Sequence, residues 1–251
     1  MAVISAARLV GGDRGDSRTR EEILAGLMRA PGLAGKINTA TTAPDAAGGD
    51  AVRVLPVRAE LAAVLPDGGL RRGTTVAVAS SASLLIELMA GTSRAGGWCA
   101  VVGMPAFGAL AAAAAGVDLN RLALVPDPGS RWPEAVAAMV DGFDLVVVAP
   151  GAARVTGSLA GRLDARVRQR GAVLVAFGVA TWPGADVLLD VDHEASAWRG
   201  LRRGRGRLRF RDLAVTAHRG GQERRTVVQI GDAPISDAAA TPPKPGLRVV
   251  A

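Results

Sequence analysis

The chain has 251 residues, 49% of them hydrophobic, and carries a formal charge of +7 at pH 7. That length accommodates one large α/β domain with tails and a sizeable buried core. A single cysteine, Cys99, excludes an internal disulfide framework and fits a reducing, cytoplasmic setting.

Arginine dominates the cations, the only lysines being Lys36 and Lys244. The charge is local: 199–225 holds ten arginines against Asp212 and Glu223, a net of +8, which leaves −1 for the rest. No charged n-region precedes a long apolar stretch at the N-terminus, so a secretory leader is not expected. Residues 95–117 are uncharged, but five glycines and Pro105 make strand, turn and helix a better reading than a membrane span.

In chain order, Asp16 and Ser17 predict the cap of a helix over 18–29, with Ile23, Leu24, Leu27 and Met28 on one side. Its apolar side docks on the core or on a partner. Residues 32–51, rich in Gly, Ala, Thr and Asp, read as a linker, so 1–53 forms an N-terminal helix with a flexible connection. From 54 to 231 the pattern predicts the folded core. Strands are expected at 74–79, 98–102, 121–125, 144–149, 172–177 and 186–191, and helices at 84–93, 106–115, 132–141 and 156–170. The continuous apolar runs 144–149 and 172–177 predict strands buried on both faces of a mostly parallel sheet. The fold class is therefore α/β with three layers.

After Asp192 helices cease. Stretches 195–201, 207–218 and 223–230, separated by Gly204, Gly206 and Gly220-Gly221, predict an antiparallel strand meander over about 195–230. The tail, 232–251, contains Pro234, Pro242, Pro243 and Pro245 and is expected to be disordered alone.

Residues 65–90 carry the most functional information. Asp67-Gly68-Gly69 leads into a short strand, the small loop Ser80-Ser81-Ala82-Ser83 follows, and an apolar helix begins at Leu84. This is the setting of a phosphate-binding loop without its glycines and lysine. Gly68-Gly69-Leu70-Arg71-Arg72-Gly73 before a strand resembles the G-G-L-x-x-G lead-in of RecA-type recombinases, in which the next strand runs into G-P-E-S-S-G-K-T. The combination of that lead-in, a shortened loop and an Arg-rich end over 54–230 is closest to ImuA′, the actinobacterial mutasome accessory proteins. The resemblance implies a RecA-like core and a place in DNA-damage-induced mutagenic translesion synthesis. Its partners would be ImuB, an inactive Y-family polymerase homologue, and through it an error-prone C-family DNA polymerase. It also implies a nucleoid-associated protein.

Three positions carry ATP chemistry in the RecA pattern. The loop offers Ser80, Ser81 and Ser83, best read as helix caps. Val102-Gly103-Met104-Pro105 has no carboxylate after the second core strand, and Val148-Ala149-Pro150 has none after the fourth; Asp144 lies at that strand's other end. Losing charge neutralisation, water activation and metal holding together predicts no hydrolysis, no catalytic residue and no cofactor or metal. His193 among Asp190, Asp192 and Glu194 reads as an acidic loop at a strand end rather than a metal site. His218 has no nearby acid in the chain pattern, and Cys99 reads as a core residue.

The positive segment offers Arg199, Arg202, Arg203, Arg205, Arg207, Arg209, Arg211, Arg219, Arg224 and Arg225 as candidate contacts. On an extended strand Arg203 to Arg211 alternate, placing five guanidinium groups on one face at about 6.6 Å spacing, near that of phosphates along one strand. That face is either solvated or binds DNA (single-stranded or primer-template) or an acidic protein. Leu247, Arg248, Val249 and Val250 form a β-prone partner-binding candidate in the tail. Two further readings stay open: an ATP-independent DNA-binding RecA paralogue, and an NTPase with a nonstandard loop.

Overall fold

The computed structural model describes residues 2–3, 54–151, 153–202 and 205–231; for 2–3, 199–202 and 205–209 it describes the backbone alone. The expected helix at 18–29, the linker, Arg203, and the tail with Leu247 to Val250 lie outside the described residues. The first pieces are short: β1 (Ala2–Val3), β2 (Val54–Leu55), α1 (Ala59–Ala62) and β3 (Leu70–Arg71). Then come β4 (Thr75–Val78), α2 (Ala82–Arg94), β5 (Cys99–Val102), α3 (Ala109–Ala114), β6 (Leu122–Val125) and α4 (Trp132–Val140). The remainder is β7 (Leu145–Val148), α5 (Gly157–Arg170), β8 (Val173–Phe177), β9 (Val187–Arg202), β10 (Arg205–Arg219) and β11 (Gln222–Gly231).

Nine strands form one mixed sheet in the order β1-β6-β5-β7-β8-β4-β9-β10-β11. Pairing is parallel from β1 to β9 and antiparallel between β9, β10 and β11. The expected mostly parallel sheet with an antiparallel C-terminal meander is therefore present. Strands β4, β5 and β7 are buried at every position, which is why their sequences read as unbroken apolar runs. One face carries α2 and α3, whose Leu84, Leu85, Leu88 and Ala112 pack with Val76, Val101 and Val147. The other carries α4 and α5, whose Val136, Met139, Leu163 and Val167 pack with Ala100, Val146 and Leu174. These are the three layers.

Three features differ from the sequence reading. Val187–Arg202 is one strand, where two strands flanking an acidic loop are expected, and Gly206 lies inside β10 rather than in a turn. Ala2–Val3 adds an edge strand to β6, although two residues carry no periodic signal. The Gly220-Gly221 turn does form as expected: both residues have positive φ (53° and 80°), and Arg219 pairs with Gln222 across it.

Cys99 is 1% exposed, and burial, with a smaller contribution from Asp144, pushes its thiol pKa up to about 12. At pH 8 the thiolate fraction is then on the order of one in ten thousand. Iodoacetamide should leave the folded protein unlabelled at pH 8 and label it rapidly in denaturant. Labelling of the folded chain at the rate of a free thiol would contradict this burial.

Candidate functional site

The loop from β4 to α2 lies at the C-terminal edge of the sheet, with β4 between β8 and β9. Ala79 N–H donates to Leu189 O at 3.0 Å, extending the β4–β9 ladder into the loop. Ser81 then turns into the left-handed region (φ 76°), and its Oγ accepts the Leu84 N–H at 3.3 Å. It is the only non-glycine residue with positive φ among the described residues. Capping of α2 requires that side chain and compensates some of the backbone strain. Ser80 serves differently: its Oγ lies 3.1 Å from His193 Nε2.

A bulge in β9 carries His193 to that position. Asp212 pairs with Ala197 while Ala214 pairs with Asp192, so Leu213 alone faces four residues, 193–196. The Asp192 carboxylate closes the bulge by accepting the N–H groups of Glu194 and Ala195, both at 3.0 Å. Ser196 Oγ donates to Asp192 O at 2.5 Å and accepts Ala214 N–H at 3.2 Å. The acidic loop expected at a strand end is thus a bulge within a strand, because its carboxylate serves its own backbone. Among the described residues no group of three or more His, Cys, Asp or Glu is arranged to hold a metal ion.

On its other side His193 Nδ1 meets Arg211 Nη2 at 3.3 Å. An arginine only donates, so Nδ1 accepts and Nε2 carries the hydrogen toward Ser80 Oγ. In that tautomer His193 donates to the serine and does not take its proton, so the pair lacks the arrangement that activates a nucleophile. The Arg211 guanidinium lies 5.5 Å from the centre of the Trp198 ring, which is 56% exposed. Ser80, His193, Arg211 and Trp198 therefore form one chain of contacts beside the N-terminus of α2.

Of the five alternating arginines from Arg203 to Arg211, only Arg211 has a described side chain. It is half-buried and shares its face of β10 with the buried Leu213, Val215 and Ala217, which corrects the exposure expected of Arg211. The sequence shows the alternation of arginines but not which side of the strand meets the core. Arg205, Arg207 and Arg209 lie on β10 and Arg199 and Arg202 on β9, all described by backbone alone, with a register shift between Gly206 and Phe210. Arg219 pairs with Asp186 at 3.1 Å and Arg225 with Glu223 at 2.6 Å, while Arg224 lies opposite Ala217 on the Arg219 side of the strands. His218 has an acid beside it after all, since Glu223 pairs with it across the hairpin at 4.0 Å.

At the ends of β5 and β7 there is close backbone contact. Ala149 N–H donates to Val102 O and Gly103 N–H to Val125 O, both at 2.9 Å. Asp144 lies at the opposite edge, accepting from Arg72 Nη2 at 2.7 Å and from Trp98 N–H at 2.9 Å.

These features define a doubly wound α/β protein with a serine loop where such folds place their phosphate loops. The family model described as the MT3502 N-terminal domain matches residues 63–184, a span from the end of α1 past β8 that leaves out the meander. Over 117 residues the chain is 42% identical to the uncharacterized protein Rv3395c of Mycobacterium tuberculosis. That match covers 47% of this chain and 57% of the relative, so it spans little more than half of that protein's length. Among the described residues no helix is long and apolar enough to cross a membrane.

Proposed function

We propose that this protein is a non-catalytic RecA-like adaptor of the DNA-damage-induced mutagenic translesion synthesis machinery. It acts at the nucleoid by holding ImuB, and through ImuB an error-prone C-family polymerase. The observation that carries the reading is the chemistry of the β4–α2 loop. Ser81 caps the helix, Ser80 accepts from His193, and Arg211 faces His193 and Trp198. Phosphoryl transfer draws its rate from cations, a metal and a positioned nucleophile, and these groups are engaged with one another. The RecA-like part of the reading is supported by the position of β4 next to β8 and β9, directly after the Gly68–Gly73 lead-in. A protein without such chemistry acts through its surfaces.

The test is co-purification from damaged cells with a tagged full chain, beside a steady-state ATPase assay with Mg²⁺ and single-stranded DNA. ImuB should be retained and phosphate release should stay at background. Turnover that Ser80→Ala abolishes would replace the adaptor by an NTPase. Loss of ImuB together with salt-sensitive retention of single-stranded DNA would favour the ATP-independent DNA-binding paralogue.

A further inference from the structure

Two depressions meet at Arg219, at the sheet edge opposite the serine loop. The smaller, about 130 Å³, has an apolar floor of Val64, Val187 and Ala217, with Gln222 and Arg224 on its rim. The larger, about 620 Å³, runs along Thr74 and Thr75 at the start of β4 and is walled by Arg71, Arg168 and Arg219. Residues from β3, α5 and the β10–β11 hairpin thus converge on one groove.

The cations in it fall into two kinds. Arg72 and Arg219 are engaged by Asp144 at 2.7 Å and Asp186 at 3.1 Å. Among the described residues Arg71 and Arg224, both exposed, have no ion-pair partner, and Arg168 feels Asp164 without contacting it as an ion pair. Three guanidinium groups are therefore available beside an apolar notch. Among the described residues no aromatic side chain lines either depression, so the lining offers no base stacking of the kind that holds single-stranded nucleic acid. Asp164 and Asp186 interrupt the positive lining and would oppose a continuous run of phosphates. A peptide suits both features, since its backbone N–H groups satisfy carboxylates and an aliphatic side chain fills the notch.

We propose that this groove binds an acidic segment of a partner protein, one aliphatic side chain in the notch and its carboxylates on Arg71, Arg168 and Arg224. The inference rests on the adaptor reading only in that a partner supplies the segment. Guanidinium–carboxylate pairs set register and orientation, and the buried aliphatic group supplies most of the affinity.

The test is an NMR titration of the labelled full chain with a hexapeptide of aspartates and glutamates around one leucine, with glycine in place of leucine as control. The leucine peptide should shift amides near 64–71, 168 and 217–224 and bind about tenfold more tightly than the glycine peptide. Combined Arg71→Gln, Arg168→Gln and Arg224→Gln should weaken it about tenfold again and leave the thermal transition nearly unchanged, the three side chains being exposed. Equal binding of both peptides, shifts confined to other surfaces, or displacement of the peptide by oligothymidylate would overturn the proposal. The co-purification above separates the two levels. Loss of the partner from the wild-type chain sinks the adaptor reading, whereas full retention by the triple variant sinks only the groove.

Discussion

Replacing Gly103 by alanine should lower the midpoint of thermal unfolding by about 5–15 °C. Gly103 has φ +77°, and a Cβ there would lie 2.4 Å from Ala149 O, a backbone atom that no rotamer change can move aside. The left-handed conformation costs a residue with a Cβ about 1–2 kcal/mol. Overlap with a packed neighbour adds about 1–3 kcal/mol. Relief by backbone movement would disturb the Ala149 N–H to Val102 O bond, which ties the ends of β7 and β5. Gly108→Ala is the control, because φ there is −78° and the nearest atom to the new Cβ, Ala111 Cβ, is 3.5 Å away. That variant should stay within about 0.5 kcal/mol of the wild type. Equal midpoints for the two variants would mean that the β5 and β7 ends are not in close contact. The same geometry bears on function. Gly103 lies directly after the second core strand, where a RecA-type ATPase would need a carboxylate, and Gly103→Glu would meet the same backbone oxygen. On the adaptor reading proposed above, the backbone at this position disfavours the carboxylate that the sequence also lacks.

Asp141→Ala should destabilise the fold by about 2–3 kcal/mol, or roughly 5–10 °C. Asp141 follows α4, and its side chain is only 6% exposed. Its two oxygens accept Arg166 Nε at 2.7 Å and Nη2 at 2.8 Å as a fork, and Oδ1 also accepts Arg170 Nε at 3.0 Å. The alanine variant leaves these guanidinium groups without a carboxylate at the seam between α4 and α5. Removing one member of a fully buried pair costs about 3–5 kcal/mol, and the partial exposure of Arg166 and Arg170 reduces that figure. Asp141→Asn keeps an acceptor without the charge and should fall between the two. In a double-mutant cycle with Arg166→Met, the combined loss should be clearly smaller than the sum of the single losses. Strict additivity would show that the fork contributes nothing beyond its separate members.

Much of the parallel core is legible in the chain because its signals are local. The runs 145–148 and 173–176 are buried on both faces and look it. Thr156 caps α5 through its hydroxyl to Leu159 N–H, within three residues. The Gly220-Gly221 hairpin likewise needs only positive φ at two adjacent positions. Ser81 as the cap of α2 belongs to the same class. In each of these the residues that interact are neighbours in sequence, so type and spacing suffice.

Tertiary structure decides the rest, and the reason is sequence separation. The serine loop gains its character from His193, 113 residues after Ser80, and His193 reaches it only because a four-residue bulge faces a single residue of β10. The groove gathers Arg71, Arg168 and Arg224 from three elements, and no periodic pattern links them. Arg211 illustrates the limit most directly: alternation places it on the same side of its strand as Leu213, but which side faces the core depends on where β10 docks. The chain by itself determines that β4 is a strand, that the loop after it lacks a phosphate-binding cation, and that positive charge gathers at one end. The order of strands, the bulge that brings His193 to Ser80, and the side on which each arginine lies follow only from burial of the two core faces. That burial is a sum over contacts distant in sequence, and no short window of residues contains it.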